Sequence, residues 1–152
     1  MIFGIMYNTS MKPTQIVLDT NIVVTALRSK RGASFKLISL IDKAPFETNL
    51  SVPLVFQYEE VLRRQRHSLH ITQDGIADFL DYLCSVANLH EVYFLWRPYL
   101  PDPQDDMILE LAVNAGCKYI VTYNKRDFRG AETFGIEVVT AKEFLEKIGA
   151  LS

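Results

Sequence analysis

The sequence predicts an α/β domain built on a parallel sheet, and three observations carry that reading. The run "QIVLD" (Gln15 to Asp19) is aliphatic and β-branched without polar alternation, as expected of a central strand covered on both faces. Similar short runs recur at "YIVTY" (Tyr119 to Tyr123) and "IEVVT" (Ile136 to Thr140), with a weaker one at "FETNLSV" (Phe46 to Val52). Helical patterns fall between them, and strands alternating with helices require parallel pairing through right-handed crossovers.

Taken in order, the first helix follows Asp19, with Asn21 and Ile22 in its first turn. Residues 34–43 place Phe35, Leu37, Ile38 and Ile41 at helical spacing. Residues 53–66 do so with Leu54, Tyr58, Val61 and Leu62, and Pro53 suits a first helical turn. The next helix, 72–87, buries Ile76, Phe79, Leu80, Leu83 and Val86. Residues 103–115 carry Met107, Ile108, Leu111, Ala112 and Ala115, and Gly116 closes that helix. The last opens at Thr140, with Glu143 at capping-box spacing, and runs to about Ile148.

With 152 residues, 49% of them apolar and 22% charged, the chain suits one soluble globular domain. No apolar run reaches the roughly 20 residues of a bilayer span, and "MIFGIMYNTS" makes a poor signal peptide. A cytoplasmic protein with no membrane partner is expected. Cys84 and Cys117 have no CxxC spacing and read as buried thiols. The net charge of -2 gives no general attraction to polyanions, leaving "RSKR" (Arg28 to Arg31), "RRQRH" (Arg63 to His67) and "NKRDFR" (Asn124 to Arg129) as local basic clusters. His67, His70 and His90 match no metal spacing, and "VYFLW" (Val92 to Trp96) reads as a strand or core edge before it reads as a base-stacking surface.

Three acidic positions break the apolar pattern. Asp19 stands at the carboxyl end of the first strand, where it either caps the following helix or faces the crevice that such sheets form beyond their strand ends. In "LPDPQDDMILELA", Asp102 is a good N-cap, while Asp105 and Asp106 sit in the first turn. At about 100° per residue, Asp105 lies at the edge of the apolar stripe and Asp106 points nearly opposite it. After the "YIVT" strand, Thr122, Asn124 and Asp127 fall at the same edge, although a simple turn also explains them. Carboxylates converging without His or Cys suit a hard cation, Mg2+ or Mn2+. One or two such ions serve phosphodiester cleavage, with basic clusters holding phosphates.

At this point "IVLDTNI", "SVPLVFQYEEVL", "LPDPQDDMILELAVNAGCKYIVTYNKRDF" and "GIEVVTAKEFLEK" resemble successive motifs of PIN domains. The resemblance extends to the branch of bacterial toxin-antitoxin toxins related to VapC. It covers residues 15–148, expected to be a single domain, with residues 1–14 an N-terminal arm; Met11 is a natural start for the family. The resemblance implies a three-layer α/β/α sandwich with a central parallel sheet of four to five strands. It also implies a metal-dependent endoribonuclease that cleaves single-stranded RNA to a 5′-phosphate product, an antitoxin partner, and a homodimer as a common assembly.

Carried over residue by residue, the resemblance makes Asp19, Asp105 and Asp127 catalytic and Asp19, Asp105 and Asp106 metal ligands. Asn21, Gln57, Glu60, Thr122 and Asn124 become supporting polar groups. Apart from the resemblance, the basic clusters offer Arg63, Arg64, Lys125 and Arg126 as RNA contacts. Gln57 stands where the family has an acid, which removes a full negative charge from the site. Glu60, one turn on, faces further from the core than Gln57 and is no obvious substitute. A catalytically weakened PIN fold that binds RNA or protein is therefore the alternative. A phosphotransfer domain also places an Asp after a first strand, but the second Asp two residues on is here Asn21. No phosphate-binding glycine loop is present.

Overall fold

The computed structural model describes residues 12–92 and 98–151. Most of "VYFLW" and of the expected N-terminal arm lies outside them. Five strands pair in parallel throughout: β1 (Thr14–Leu18), β2 (Phe46–Ser51), β3 (Asn88–His90), β4 (Tyr119–Val121) and β5 (Glu137–Val139), in the order β3-β2-β1-β4-β5. Among the described residues seven α-helices accompany them: α1 (Thr20–Arg28), α2 (Ala33–Ser39), α3 (Val52–Arg64), α4 (Arg66–Leu69), α5 (Gln73–Val86), α6 (Pro103–Asn114) and α7 (Ala141–Lys147). Two 3-10 turns, Lys125–Phe128 and Ala131–Phe134, lie between β4 and β5.

The strand order explains the layers. From β1 the chain steps to β2 and on to β3 in one direction, then crosses back to β4. Right-handed crossovers therefore put α1, α2, α3 and α5 on one face and α6 on the other. The packing agrees: α1 meets α2 and α3, α3 meets α5, α2 meets α7, while α6 lies on β1, β2 and β4. Sandwiched between two layers of helices, β1 has Ile16 and Val17 fully buried and Leu18 nearly so, which is why its sequence shows no alternation. The buried hydroxyl of Tyr58 on α3 donates to the Leu18 carbonyl and ties that helix to the end of β1.

The structure departs from the sequence reading in places that have local causes. Strand β3 is polar and three residues long, so periodicity does not reveal it. Its side chains instead join a ladder across the sheet: Asn88 Nδ2 donates to Gln15 Oε1 and Glu47 Oε1, each at 3.0 Å. His90 Nε2 lies 2.7 Å from Asn49 Oδ1. The helix expected over 34–43 ends at Ser39, because the chain turns through Asp42 at φ 69 before Pro45. Residues 53–66 divide at Gln65 into α3 and α4. The capping box at Thr140 forms in both directions, with Glu143 N to Thr140 Oγ1 at 3.2 Å and Thr140 N to Glu143 Oε1 at 2.8 Å. Among the described residues no helix is long and apolar enough to cross a membrane.

Candidate functional site

The strand order reverses between β1 and β4, and in open parallel sheets such a switch point opens a crevice beyond the carboxyl ends of the strands. Asp19 sits at its base. Its backbone N–H donates to the Val121 carbonyl at 2.9 Å, which continues the pairing of β1 and β4 one residue past β1. Its carboxylate serves both roles left open by the sequence. Oδ1 accepts from Thr20 N at 2.7 Å and caps α1, while Oδ2 accepts from Thr122 Oγ1 at 2.8 Å and Asn21 Nδ2 at 3.2 Å.

Those second-row partners are themselves held. Thr122 Oγ1 accepts from Asn124 N at 2.9 Å, and Asn21 Oδ1 accepts from Tyr123 N at 3.2 Å. The end of β1 and the turn after β4 are thus locked together by side chains. Burial raises the Asp19 carboxyl above the ordinary range, the bonds from Thr122 and Thr20 pull it part of the way back, and Asp127 and Asp102 push it up again.

A groove of about 390 Å³ opens above Asp19 and gathers side chains from distant parts of the chain. Asn21 comes from α1, Gln57 from α3, Asp105 from α6, and Asn124 and Asp127 from the turn after β4. Asp102 and Gln104 add to it from the start of α6, and Arg28 and Gln65 from the opposite rim. Asp105 is only half-buried, yet its carboxyl is pushed up to about 7, first by desolvation and then by the charges of Asp19, Asp102 and Asp127. None of these four carboxylates takes part in a salt bridge among the described residues.

Gln57 extends the site with an unusual atom. Its Nε2 donates to Gln104 Oε1 at 3.3 Å, whereas its Oε1 is buried without a hydrogen-bond partner among the described residues. A buried carbonyl oxygen left unpaired costs about 1–3 kcal/mol, so an acceptor here is held open at some expense.

These donors fit a hard cation in kind. Every one is an oxygen, the carboxylates repel one another, and an acceptor is unpaired. They fit it sparsely in number, since no group of three His, Cys, Asp or Glu among the described residues is placed to hold a metal ion. An ion here would have to complete its shell with neutral oxygens and water, as Mg2+ readily does.

Several residues singled out from the sequence stand elsewhere. Asp106, placed on the outer side of α6 by the helical wheel, is buried, and its Oδ1 accepts from Tyr99 N and Leu100 N, each at 2.8 Å. The wheel measures orientation toward the sheet and is blind to a loop folded over the far side of the helix. Glu60 is exposed and pairs with Arg64 at 3.4 Å, while Arg63 pairs with Glu59 at 2.9 Å, all outside the groove. Lys125 turns away to Glu143 at 3.0 Å. Arg126 lies in an adjoining depression that shares Asp102, Asp105 and Asp127 with the groove.

Asp102, Gln104, Arg28 and Gln65 are not legible in the sequence as groove residues. Asp102 caps α6 by accepting from Gln104 N at 2.9 Å, and that duty fully accounts for an Asp before a proline. Arg28 and Gln65 meet across the rim at 2.7 Å although 37 positions apart, and nothing local in the sequence marks that contact.

Comparison with known proteins bears on the fold and the family. A chain of the VapBC2 complex from Rickettsia felis, crystallised bound to a DNA fragment from its promoter, shares the fold with a TM-score of 0.59. The two chains are 14% identical, and the match covers 82% of this chain and 98% of the other. At that identity the likeness speaks for the fold alone. The family model described as PIN domain matches residues 15–126. That span runs from β1 into the turn after β4 and takes in every carboxylate of the groove except Asp127, and on it the chain belongs to the PIN-domain family.

Proposed function

We propose that the chain is a metal-dependent nuclease that cleaves single-stranded RNA, and the toxin of a toxin-antitoxin pair. The observation that carries the reading is the convergence of four carboxylates, Asp19, Asp102, Asp105 and Asp127, on one groove. Burial and the charges of Asp19, Asp102 and Asp127 push the Asp105 carboxyl up to about 7, and among the described residues no basic side chain forms a salt bridge with any of the four. Such charge is costly in the free protein and useful only to something cationic that enters it. The structural likeness to a chain of a VapBC2 complex supports an antitoxin partner.

In this reading Asp19 and Asp105 hold a Mg2+ or Mn2+ ion, and Asp127 and Asn124 stand across the groove to orient substrate and water. When bound, the ion lowers the pKa of the attacking water and stabilises the leaving oxygen of the phosphodiester. Thr122 and Asn21 fix the Asp19 carboxylate so that it does not reorganise as charge develops. The unpaired Gln57 Oε1 accepts a hydrogen bond from water. Asp106 is left out of the ion's shell, because its Oδ1 already serves two backbone amides.

A second reading rests on Gln57. An amide in place of a carboxylate leaves the site one charge poorer, and a fold with too few charged ligands for an ion would serve as an RNA-binding or protein-binding module. End-labelled single-stranded RNA incubated with Mn2+ separates the two. The nuclease reading expects cleavage by the unaltered chain, its loss in Asp19→Asn, and faster cleavage at lower Mn2+ in Gln57→Glu. An unaltered chain that is inert until Gln57 is replaced by Glu would make the second reading the right one.

A further inference from the structure

Beside the groove lies a depression of about 450 Å³, lined by Tyr99, Leu100, Arg126 and Arg129 and bounded by Asp102, Asp105 and Asp127. Its volume is within the roughly 300–1,000 Å³ of small-ligand sites. Nothing in the cleavage chemistry requires it. What sets it apart is Tyr99, a residue 47% exposed and yet held from several sides.

Asp106 accepts from the backbone N–H groups of Tyr99 and of its neighbour Leu100, and fixes the chain there. The edge of Phe134 meets the ring at a centroid distance of 5.1 Å and an interplanar angle of 80°. Gly130 fits directly against it: a Cβ at that position would stand 2.9 Å from Cε2 and Oη of Tyr99, and φ is +101. The positive φ disfavours any larger residue there, and a Cβ would push against the end of the Tyr99 ring. An exposed aromatic already packed against Phe134 and Gly130 loses less freedom on binding than a free one, which is what a stacking platform needs. Arg126 and Arg129 share the depression, and neither forms a salt bridge among the described residues.

We propose that this depression is a nucleotide subsite, in which Tyr99 stacks on the unpaired base next to the scissile phosphodiester and Arg126 and Arg129 contact the adjoining phosphates. The proposal rests on the nuclease reading and deepens it. It gives Asp106 and Gly130 positioning roles, and it accounts for selectivity toward single strands, because a base stacks on a side chain only when its partner strand is absent.

The test is binding, measured apart from cleavage. A short single-stranded RNA carrying 2-aminopurine is titrated with the Asp19→Asn protein and followed by anisotropy and by base fluorescence. Stacking on Tyr99 quenches the fluorescence, which needs no substitution at the platform to observe. Tyr99→Ala then abolishes the quench and weakens affinity by roughly 5- to 100-fold, while Tyr99→Phe keeps both. Arg126→Ala with Arg129→Ala lowers the slope of log K against log salt by about 1.4, two phosphate contacts at roughly 0.7 each.

Binding without a quench at any 2-aminopurine position, with Tyr99→Ala within twofold of its parent, overturns the subsite. So does failure to bind single-stranded RNA at all. Cleavage by the unaltered chain is scored separately. Tyr99-dependent binding without Mn2+-dependent cleavage removes the nuclease reading and keeps the subsite, and cleavage indifferent to Tyr99 does the reverse.

Discussion

Replacing Asp105 by Asn should stabilise the metal-free protein. The Asp105 carboxyl has an ordinary value of 3.8 and is pushed up to about 7 in the folded chain by burial and by three neighbouring carboxylates. Between those values the folded state binds the proton more tightly than the unfolded state does. The group's contribution to stability is therefore fully present below about pH 4 and is lost as pH rises through 7. At about 1.4 kcal/mol per unit, the full shift would be worth roughly 4 kcal/mol. Asp105 is half-exposed, so solvent screening reduces this to about 1–2 kcal/mol.

One effect opposes it. Asp105 lies in the first turn of α6, where the helix dipole favours a negative charge by about 0.3–1 kcal/mol. Repulsion and desolvation outweigh that attraction. Roughly 1 kcal/mol remains, so at pH 8 in EDTA Asp105→Asn should raise Tm by roughly 2–4 °C, given about 2–4 °C per kcal/mol for a chain of this size. At pH 5 the gain should shrink, because most Asp105 is then protonated. The assay is differential scanning fluorimetry across pH with and without Mn2+, and the variant should also lose the stabilisation that Mn2+ gives the unaltered chain. A lower Tm for Asp105→Asn at pH 8, or a difference that does not change with pH, would refute the reasoning.

Three further substitutions probe the scaffold. Asp106→Ala strips two backbone amides of their acceptor and should cost about 2–4 kcal/mol by urea unfolding, whereas Asp106→Asn keeps an acceptor oxygen and should cost markedly less. Tyr58→Phe removes the donor to the Leu18 carbonyl and should lower stability by about 1–2 kcal/mol. Thr122→Val removes the hydroxyl that bonds Asp19 Oδ2 and accepts from Asn124 N, so the Asp19 carboxyl should titrate still higher, Mn2+ binding by calorimetry should weaken several-fold, and stability should fall by about 1–3 kcal/mol.

What the sequence makes legible and what it hides follow from the range of the interactions. Strand β1 and Asp19 stand out because burial on both faces leaves an uninterrupted apolar run, against which one charge is conspicuous. Asp105 is placed by the same periodicity that places its helix. Asp106, one position on, is misplaced by it, because its partners are the amides of a loop that periodicity does not see. Strand β3 is hidden for a similar reason: the amide of Asn88 and the imidazole of His90 reach Gln15, Glu47 and Asn49 on two other strands. Arg63 and Arg64 read as a phosphate-binding pair in the sequence, but in the fold each is engaged by a glutamate four residues back on the same helix. The departure at Gln57 is visible as a missing charge, whereas the unpaired oxygen that replaces it emerges only in the fold.

The central claim is that the groove over Asp19 and Asp105 exists to hold a divalent cation, and calorimetric titration of Mn2+ into the purified chain tests it most directly. Binding should be saturable, tighten at least about tenfold in Gln57→Glu, where a carboxylate replaces a neutral amide, and disappear in Asp19→Asn. Binding that is equally strong in all three proteins would place the ion elsewhere and contradict the claim, as would the absence of binding even in Gln57→Glu.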